Sequence, residues 1–580
     1  MNAERLLALY ERVAESPDAI TRLRRFILDL AVRGKLVPQD PQDEPASELL
    51  KRIAKEKARL VKAGEIKVRS ILSRDRHEPV SFECPIGWSL TELGEVAFKI
   101  TDGAHKTPTY VEQGVPFVSV KDFSAGKLNL SNTRFIPEEE HKLLYQRCDP
   151  RRGDILLGRI GTLGKAVIVD TDAEFSLFVS VGLIRFDHRF MNPDFFRLLL
   201  NSPFVEAEFD RIKIGGGTHT NKLNLGDLYT VALPLPPIAE QHRIVAKVDE
   251  LMALCDQLEA ARQERESRRD RLAAASLARL NTPDPETFQS DARFTLNALP
   301  ALTTRPNQIK QLRQTILNLA VRGKLVPQDP SNEPASELLK RIAKEKARLV
   351  KESKCTETRV ILRRLNEETS GLPASWLRIA FGEACNVVTS GSRGWAEFYS
   401  TSGAGFIRAQ NIRFGKLLLN DLAFVNPPTN SEGSRTQVKR GDLLIVITGA
   451  GVTNPALLEC DLEEAYVSQH VGLARPTDPQ LSPWFLLCLM ADAGGRTELV
   501  ERAYGAGKPG LNLENIRSLQ VPLPPLAEQY RIVAKVDELM ALCDRLEASL
   551  TTSDQTRTRL LEATLAEALT PARVSEIEVV

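Results

Sequence analysis

Apolar residues recur at alternating intervals of four and three positions in two stretches of the chain. In the first they are Ile244, Val248, Leu251, Cys255 and Leu258, and in the second they are Ile532, Val536, Leu539, Cys543 and Leu546. This spacing is typical of the buried seam of a coiled coil, so both stretches are predicted to be helices. Both cysteines fall on the seam, and we interpret them as small buried hydrophobic residues.

A pair of prolines precedes each of these helices. Pro236-Pro237 stands before the first and Pro524-Pro525 before the second. Because proline is excluded from a helix interior, the helices are predicted to begin at about Ile238 and Leu526. The first extends to about Leu280, which gives roughly 65 Å of helix at 1.5 Å per residue. A helix of that length suits a spacer between domains.

The helical pattern belongs to an internal repeat. The forty residues from Leu23 return from Leu312 with 35 identities, and the hinge sequence PLPPIAEQHRIVAKVDELMALCD from Pro234 returns as PLPPLAEQYRIVAKVDELMALCD from Pro522. The chain of 580 residues is therefore one unit of about 290 residues written twice. Between the near-identical blocks lie two variable segments, roughly 71–232 and 366–520.

The two variable segments share landmarks and are predicted to have one fold with different surfaces. In both, an Arg-Gly-Asp sequence, at 152–154 and at 440–442, precedes an apolar run, which predicts a turn that leads into a strand. The predicted parts are an N-terminal helical block at 1–70, a first variable domain at 71–237, a central helical region at 238–365, a second variable domain at 366–525 and a C-terminal helix at 526–580.

Composition limits the classes of protein that are possible. With 42% apolar residues, 26% charged residues and a net charge of +1, the chain has the mix of a soluble globular protein. The chain starts with a charged segment and has no apolar stretch long enough to span a bilayer, so we expect a cytoplasmic protein with no membrane partner. The eight cysteines form no CxxC pair, and the seven histidines make no ligand spacing with them, so disulfides and structural zinc are not expected.

Four motifs together resemble the DNA-specificity subunit of type I restriction-modification enzymes. They are the duplicated PLPP-x-A-E-Q-x-R-I-V hinge, the P-x-x-W opening of each variable segment, the R-G-D turn and the sequence DGAHKTP from Asp102 to Pro108. The resemblance covers essentially the whole chain. It implies an α+β fold in which two mixed α/β target-recognition domains are separated by long antiparallel coiled-coil helices in a tandem pseudo-twofold repeat.

The resemblance also implies a function and a set of partners. Each recognition domain would read one half of a bipartite double-stranded DNA sequence, and the subunit itself would hold no catalytic centre and no cofactor. Two identical methyltransferase subunits would dock on the two equivalent helical blocks, although recent duplication also explains their near-identity. Adenine-N6 methylation and ATP-dependent site-specific DNA cleavage would belong to the methyltransferase and restriction/translocase subunits, with S-adenosylmethionine, ATP and Mg²⁺, in a bacterial or archaeal cytoplasm.

One departure from the family concerns the N-terminal helical block. Many members start almost directly with the first recognition domain, whereas this chain places a helical block before it. The sequence leaves open how residues 1–62 pair with the C-terminal helix.

Two short sequences resemble catalytic or nucleotide-binding motifs but lack their essential residues. Asn426-Pro427-Pro428-Thr429 has threonine where an adenine methyltransferase needs an aromatic ring to stack on a flipped base. The sequence GTLGKA at 161–166 resembles a phosphate-binding loop, but Arg159 occupies the first glycine position and Ala166 the hydroxyl position. We predict neither methyl transfer nor ATP binding by this chain.

The glycine-rich sequence RIKIGGGTHTNK, from Arg211 to Lys222, is one candidate for DNA binding. Segment 63–237 has a net charge of −2, so cations must gather on one face if the domain is to bind DNA. Glycines allow backbone amides to approach phosphate, and the polar residues from Thr218 onward offer donors. The alternative is a flexible surface loop. The equivalent AYGAGKPG in the second copy keeps a cation, Lys508.

Two further regions differ between the copies at matched positions, as two readers of different half-sites should. TDGAHKTPTY at 101–110 corresponds to TSGSRGWAEFYS at 389–400, while Ser119 and Lys121 correspond to Arg408 and Gln410. Arginine can contact guanine through two donors, and glutamine suits adenine. Structural alternatives are packing for Trp395, a turn for Asp102 and a solvated strand position for Lys121. The predicted DNA-binding residues are Asp102, His105, Lys106, Ser119, Lys121, Arg159, Lys165, Arg211, Lys213, Thr218, Lys222, Ser392, Arg393, Trp395, Arg408, Gln410, Asn411 and Lys508.

Three hypotheses of function follow from the sequence. The first is a DNA-recognition subunit without catalysis, the second a self-contained methyltransferase or nuclease with fused recognition domains, and the third a repeat scaffold that does not bind DNA. The missing cofactor motifs count against the second. Variation confined to the segments between near-identical blocks counts against the third.

Overall fold

The computed structural model describes residues 16, 18–66, 82–215, 221–352, 371–391, 393–427, 435–504 and 509–569. The chain divides into two compact units. Unit 1 comprises residues 1–264 and 554–580, and unit 2 comprises residues 265–553. In the part of the chain that the structure describes, no helix is long and apolar enough to cross a membrane.

Unit 1 combines helices with three small sheets. Its helices are α1 (Ala19–Val32), α2 (Ala46–Lys62), α3 (Leu93–Val96), α4 (Glu138–Tyr145), α5 (Pro193–Leu200), α6 (Pro203–Ile212), α7 (Leu225–Leu228) and the first part of α8 (Ile238–Asn281). Its strands are β1 (Ser89–Glu92), β2 (Lys99–Asp102), β3 (Val115–Val118), β4 (Arg134–Ile136), β5 (Ile155–Gly158), β6 (Ala166–Ile168), β7 (Ser176–Leu177), β8 (Val181–Arg185) and β9 (Ala232–Leu235). The sheets have the strand orders β2-β8-β5-β6, β4-β3-β7 and β1-β9.

Unit 2 repeats this arrangement. Its helices are the last part of α8, then α9 (Phe288–Leu302), α10 (Pro306–Val321), α11 (Ala335–Lys351), α12 (Phe381–Ala384), α13 (Ser482–Met490), α14 (Thr497–Tyr504), α15 (Leu513–Arg517) and most of α16 (Leu526–Leu569), whose end belongs to unit 1. Its strands are β10 (Leu377–Ala380), β11 (Cys385–Ser390), β12 (Tyr399–Ser400), β13 (Ala404–Ile407), β14 (Ile412–Arg413), β15 (Lys416–Leu417), β16 (Ala423–Val425), β17 (Leu443–Val446), β18 (Pro455–Leu457), β19 (Ala465–Val467), β20 (Val471–Pro476) and β21 (Gln520–Leu523). The sheet β11-β20-β17-β18 corresponds to β2-β8-β5-β6, and β10-β21 corresponds to β1-β9.

Strand β5 of the sheet β2-β8-β5-β6 and its counterpart β17 of the sheet β11-β20-β17-β18 are buried on both faces, which explains their unbroken apolar sequences. In β5, Ile155 and Leu157 join the core shared with the helices, whereas Leu156 points to a second core beneath the other sheet. In β17, Leu443 and Leu444 divide between two cores in the same way. Successive strand residues face opposite sides, so a strand covered on both faces must be apolar throughout.

The Arg-Gly-Asp sequences form the predicted turns into β5 and β17. Gly153 and Gly441 both adopt the left-handed conformation, with φ of +89° and +90°. A side chain at Gly153 would also collide with the His188 ring. The aspartate is buried and bonded to an arginine from the neighbouring strand, with Arg475 Nε 2.6 Å from Asp442 Oδ1 in unit 2. The motif is therefore structural in both copies.

Most of the apolar stripe on the two long helices is buried or partly buried, as the spacing predicts, but Leu258 at the end of the first stripe is 39% exposed. Ile244, Val248 and Cys255 of α8 lie in one core with residues of α1, α2 and the recognition domain. The equivalent residues of α16, which include Cys543, lie in the matching core of unit 2. Burial raises the pKa of both cysteine thiols. The prediction that these cysteines serve as buried hydrophobic residues is confirmed.

The N-terminal block contacts the C-terminal helix through α1. In unit 1, Ala19 packs against Leu561 of α16, and Arg22 Nη1 lies 2.7 Å from Glu562 Oε1. On α8, Arg24 Nη2 lies 2.6 Å from Asp256 Oδ1. Helix α1 thus contacts both long helices.

The matching helix of unit 2, α10, makes equivalent contacts. Arg313 Nη2 lies 2.7 Å from Asp544 Oδ1 on α16, as Arg24 does from Asp256 on α8. Toward α8, Asn281 Nδ2 donates to Thr315 Oγ1 over 3.1 Å, and Asn318 donates to the Asn281 side chain. Thr315 and Asn318 are two of the five positions at which the repeated blocks differ. At these two positions the blocks differ where they contact Asn281, whose equivalent in α16 is Leu569.

Candidate nucleic-acid interface

The ends of β2, β5 and β7 bring several predicted loops together at one edge of the first recognition domain. Asp102 of β2 and Leu157 of β5 both face Gly182 of β8, so the loops that follow β2 and β5 leave the sheet at the same edge. Ala104 N–H donates to Leu177 O over 2.7 Å, and Phe178 N–H donates to Val118 O over 2.9 Å. We name the residues 102–106, 119–121, 147, 159–165, 178–180 and 221–223 edge 1.

A close backbone approach at edge 1 explains one glycine of the DGAHKTP sequence. A Cβ on Gly103 would lie 1.9 Å from Leu177 O, so no larger residue fits without moving the strand. The same holds in the second domain, where a Cβ on Gly391 would lie 2.1 Å from Val467 O. The loops of both domains are therefore fixed to the neighbouring strand at matched positions.

The glycine-rich loop joins edge 1 at both of its described ends. Ile214 and Lys222 exchange two backbone hydrogen bonds of 2.9 Å, and Leu223 N–H donates to Arg159 O over 2.9 Å. Arg211 forms an ion pair of 2.7 Å with Glu208, and Lys213 forms one of 2.7 Å with Asp210. The Lys222 side chain is exposed. Thr218 lies outside the described residues.

Asp102 and Arg159 are buried rather than displayed at edge 1. Arg159 Nη1 lies 2.6 Å from Asp102 Oδ2, and the two side chains are only 8% and 1% exposed. Arg159 Nε also donates to Leu223 O over 3.0 Å. A buried carboxylate and guanidinium that satisfy each other offer no surface to DNA, so we correct these two predictions and assign the pair a structural role.

The other predicted residues of edge 1 lie at or near the surface. His105, Lys106 and Lys121 are exposed, whereas Lys165 is half-buried. Ser119 Oγ donates to Asp122 Oδ2 over 2.9 Å and so stabilises the short 3₁₀ turn that carries Lys121. Edge 1 therefore presents cationic side chains from three different loops.

The sequence prediction missed Arg147 at edge 1. Arg147 follows α4, yet its Nη2 forms an ion pair with Asp102 and lies 3.2 Å from His105 Nε2. The only signal in the sequence was that Arg147 precedes the Arg-Gly-Asp turn by the same interval as Arg435 in the second copy. Chain proximity alone could not have connected Arg147 with a residue 45 positions earlier.

The second recognition domain builds a matching edge. Leu511 N–H donates to Ile447 O over 2.8 Å, as Leu223 N–H donates to Arg159 O in the first domain. Thr448 and Gly510 form an isolated β-bridge, as Ile160 and Lys222 do. Ser468 N–H donates to Ile407 O over 2.9 Å, which places 408–410 beside this edge. We name the residues 390, 391, 393, 408–410, 447–451, 468–470 and 509–511 edge 2.

The predicted residues of the second domain divide between its surface and its interior. Arg393 and Gln410 are exposed, and Arg408 is half-buried. Trp395 is 4% exposed and stacks on Phe406 with ring centres 5.8 Å apart, so we correct its assignment to packing. Ser392 and Lys508 lie outside the described residues.

Asn411 also belongs to the interior of the second domain. Its Nδ2 donates to Asp421 O over 2.9 Å, and its Oδ1 accepts from Arg408 N–H over 2.9 Å. The side chain is buried. Because its amide holds a turn from inside, we correct the prediction that Asn411 contacts DNA.

His470 is a polar residue of edge 2 that sequence reasoning overlooked. Its Nδ1 lies 2.6 Å from Thr448 Oγ1, and the side chain is exposed. In edge 1 the same place in the turn before β8 is held by Ser180, since Val181 and Val471 pair with equivalent strand residues. Nothing in the sequence around His470 distinguishes it from an ordinary surface histidine before a strand.

The two motif-like sequences behave as ordinary structure where they are described. Residues 161–165 lie in the turn between β5 and β6, and Ala166 begins β6. Gly164 N–H donates to Gly158 O over 2.9 Å, whereas a phosphate-binding loop leads into a helix. Asn426 N–H donates to Phe398 O over 2.9 Å, and Pro428 and Thr429 lie outside the described residues. Within the described ranges, no group of three or more metal-binding side chains could hold a metal ion.

The opposite end of the first domain carries a compact network of charges. Asp149 Oδ1 lies 2.6 Å from Lys99 Nζ, and Asp149 Oδ2 lies 3.1 Å from Arg185 Nη1. Burial raises the pKa of Asp149, but the hydrogen bond from Lys99 and the nearby cations outweigh it and lower the pKa to about 2. This network anchors the ends of β2 and β8 that lie far from edge 1.

Comparison with known proteins places the chain among restriction-enzyme subunits. Residues 85–265 and 435–553 match the family described as the type I restriction modification DNA specificity domain. The chain is 31% identical to the type I restriction enzyme EcoAI specificity subunit of Escherichia coli, over 96% of this chain and 94% of that protein. It is also 31% identical to the EcoEI specificity subunit of Escherichia coli, over 94% and 93% of the two chains.

One solved structure also matches most of the length of this chain. The crystal structure of the HsdS subunit from Thermoanaerobacter tengcongensis shares 20% identity, covers 84% of this chain and 97% of that chain, and superposes with a TM-score of 0.40. The assignment therefore depends on the family match and on the full-length relatives. On that basis the chain belongs to the family of type I restriction-modification DNA-specificity subunits.

Proposed function

We propose that edges 1 and 2 each read one half of a bipartite double-stranded DNA sequence. The observation that supports this most is that the two edges share one backbone frame but differ in their exposed side chains. His105 at edge 1 corresponds to Arg393 at edge 2, and Lys121 corresponds to Gln410. Side chains that differ on a common frame are what two readers of different half-sites require.

The charge of edge 1 is consistent with DNA binding. The recognition domain as a whole is slightly acidic, yet Lys106, Lys121 and Lys222 are exposed on three separate loops that meet at this edge. Phosphate contacts from lysines would fix the position of the domain on the duplex, while base contacts would select the sequence. No cofactor is required for this role.

The near-identical helical blocks are proposed as docking sites for two copies of a methyltransferase subunit, with restriction/translocase subunits joining the same assembly. Lys51 pairs with Glu48 on α2, and Lys340 pairs with Glu337 on α11, over 2.7 Å in both. These side chains are exposed, so packing within the chain does not account for their identity. A repeated surface suits a repeated partner. S-adenosylmethionine, ATP and Mg²⁺ would be bound by the partners.

Domain exchange tests this function. The chain is purified with its methyltransferase subunits, and residues 71–232 are replaced by the corresponding segment of another specificity subunit, with both hinges retained. Methylation mapping should show one half of the recognised sequence changed and the other half intact. A simultaneous change of both halves would contradict the assignment of one half to each edge.

A second measurement separates recognition from catalysis. Calorimetry of the chain alone should show no binding of S-adenosylmethionine, and the chain alone should neither methylate nor cut DNA. Stoichiometric binding of S-adenosylmethionine to the isolated chain would instead favour a self-contained methyltransferase.

A further inference from the structure

Asp102 connects three basic side chains at edge 1. Its carboxylate is 1% exposed and accepts from Arg159, which is also buried, with 8% of its side chain exposed. The same carboxylate forms an ion pair with Arg147 and lies 3.2 Å from His105 Nε2. Unlike Arg159, the side chains of Arg147 and His105 are 53% and 58% exposed. A buried acid thus holds two exposed basic groups side by side.

The balance of charge leaves Arg147 able to bind a ligand. The single negative charge of Asp102 faces the two positive charges of Arg147 and Arg159, so the three groups together keep a net positive charge. In the described part of the chain both contacts of Arg147 use Nη2, while a guanidinium carries five N–H donors in a planar fork. One side of the fork is fixed by Asp102, and the exposed part of the side chain can meet a planar acceptor.

The matched positions of edge 2 lack this arrangement. Ser390 occupies the position of Asp102, opposite Gly472 as Asp102 is opposite Gly182. Ile447 occupies the position of Arg159. An arginine, Arg435, is retained at the position of Arg147, but the acid that would orient it is absent from that place. The cluster of Asp102, Arg147 and Arg159 therefore distinguishes edge 1 from edge 2, although the backbones of the two edges match.

We propose that Arg147 is a specificity-determining residue of edge 1, that Asp102 is its positioning residue, and that Arg159 holds Asp102 in place. The proposed ligand is a base edge with two adjacent acceptors, such as guanine N7 and O6 in the major groove. A guanidinium fork can also bind phosphate, but the flexible lysines of edge 1 suffice for that role, so we assign the positioned fork to the base edge. The inference depends on the proposed reading of DNA by edge 1.

The test compares four variants of the full chain, each assembled with the methyltransferase subunits. Arg147→Ala removes the fork, Arg147→Lys keeps the charge without the fork, and Asp102→Asn removes the acid that orients it. Arg152→Ala is the matched control, because Arg152 is an exposed arginine of the same domain that pairs with Asp172 at the far end of β5. Binding to a library randomised in both half-sites and methylation mapping are the readouts.

The expected result is a loss of base preference at one position. Arg147→Ala and Arg147→Lys should lower discrimination at a single base pair of the half-site read by edge 1 by roughly ten-fold or more, with the other half-site unchanged. Asp102→Asn should relax the same base pair, and Arg152→Ala should change neither half. Thermal unfolding of each variant reports separately on stability.

Three outcomes would overturn the inference. Uniform weakening across all sequences would make Arg147 a phosphate contact. A lower unfolding temperature for Asp102→Asn with unchanged base preference would make the cluster purely structural. Unchanged affinity and preference in Arg147→Ala would remove Arg147 from the interface. If the unmodified complex itself showed no sequence preference, the proposed function would fail instead, which keeps the two failures distinct.

Discussion

The indole nitrogen of Trp88 donates a hydrogen bond of 2.9 Å to Oε2 of Glu240, and Trp376 donates one of the same length to Glu528. The tryptophan belongs to the opening of each recognition domain, and the glutamate belongs to the first turn of each long helix. Both glutamates are about 1% exposed. The P-x-x-W and PLPP-x-A-E-Q motifs are therefore two halves of one buried junction.

Replacement of Trp88 by phenylalanine should destabilise the chain. The aromatic packing is largely retained, but a buried carboxylate loses a donor, which costs about 2 kcal/mol. Thermal unfolding should detect a lower midpoint for the unit 1 transition. Trp376→Phe is the matched variant and should lower the unit 2 transition similarly. Unchanged midpoints in both variants would show that the junction contributes nothing to stability.

The buried carboxyls of the junction should give stability a defined pH dependence. Burial raises the pKa of Glu240 and Glu528 above the ordinary 4.5, although hydrogen bonds from the tryptophans oppose the shift. The folded chain then binds protons more tightly than the unfolded chain, so between 4.5 and the raised pKa this contribution to stability falls as pH rises.

A double variant isolates this contribution. Relative to the unmodified chain, Glu240→Gln with Glu528→Gln should gain stability when the pH is raised from 4 to 7, because the variant has no buried charge to form. Unfolding midpoints at the two pH values provide the measurement. Glu250→Gln, an exposed change on the same helix, should show no such trend. A double variant that tracks the unmodified chain at both pH values would refute the expected shift.

Asp149 should produce the opposite pH dependence. Its pKa is lowered to about 2 in the folded chain, so its contribution is complete above the ordinary 3.8 and is lost as pH falls from 3.8 toward 2. Asp149→Asn should cost about 2 kcal/mol at pH 7, and the difference from the unmodified chain should shrink in acid. Asp170→Asn, at an exposed position, is the control. A difference that stays constant from pH 7 to pH 3 would contradict the assignment.

The length of the long helices should set the unread gap between the two half-sites. Four residues inserted after Arg268 of α8, and four after the repeat-equivalent Thr556 of α16, add roughly 6 Å to each helix. DNA rises about 3.4 Å per base pair, so the gap should grow by one or two base pairs while both half-sites keep their bases.

The rotation introduced by this insertion is small enough to keep the helices compatible. Four residues add about 40° beyond a full turn, although the insertion locally unwinds a coiled coil. Methylation mapping of the assembled variant is the measurement, with four substitutions to alanine at exposed positions of the same helices as the control. An active complex with an unchanged gap would show that another part of the chain sets the spacing.

Periodic and repeated features could be predicted from the sequence because they depend on local chemistry. The stripe that includes Cys255 and the turn at 152–154 follow from spacing and turn preference, and the duplication fixes the order of the units. Burial of individual polar residues could not be predicted in this way. Asp102 and Arg159 lie 57 positions apart, and only the pairing of β2, β8 and β5 reveals that they neutralise each other.

Aromatic residues in loops raise the same difficulty. Trp395 follows an arginine and a glycine in a polar stretch, a pattern that suits a base-stacking side chain as well as a packed one. Its assignment depends on Phe406 and Tyr466, which reach it from β13 and β19. Those contacts arise from a parallel pairing of strands whose partner residues lie 60 positions apart, which no local pattern indicates.

The first and last strands of each recognition domain pair with each other, with Ser89 opposite Leu235 in unit 1 and Leu377 opposite Leu523 in unit 2. The polypeptide therefore enters and leaves each domain at one place and in one register. Genetic recombination with crossovers in the near-identical flanking blocks would transfer a whole domain together with both of its boundary strands. Such an event would leave no unpaired strand behind, so the inheritance of a new domain needs no further mutation to restore the fold.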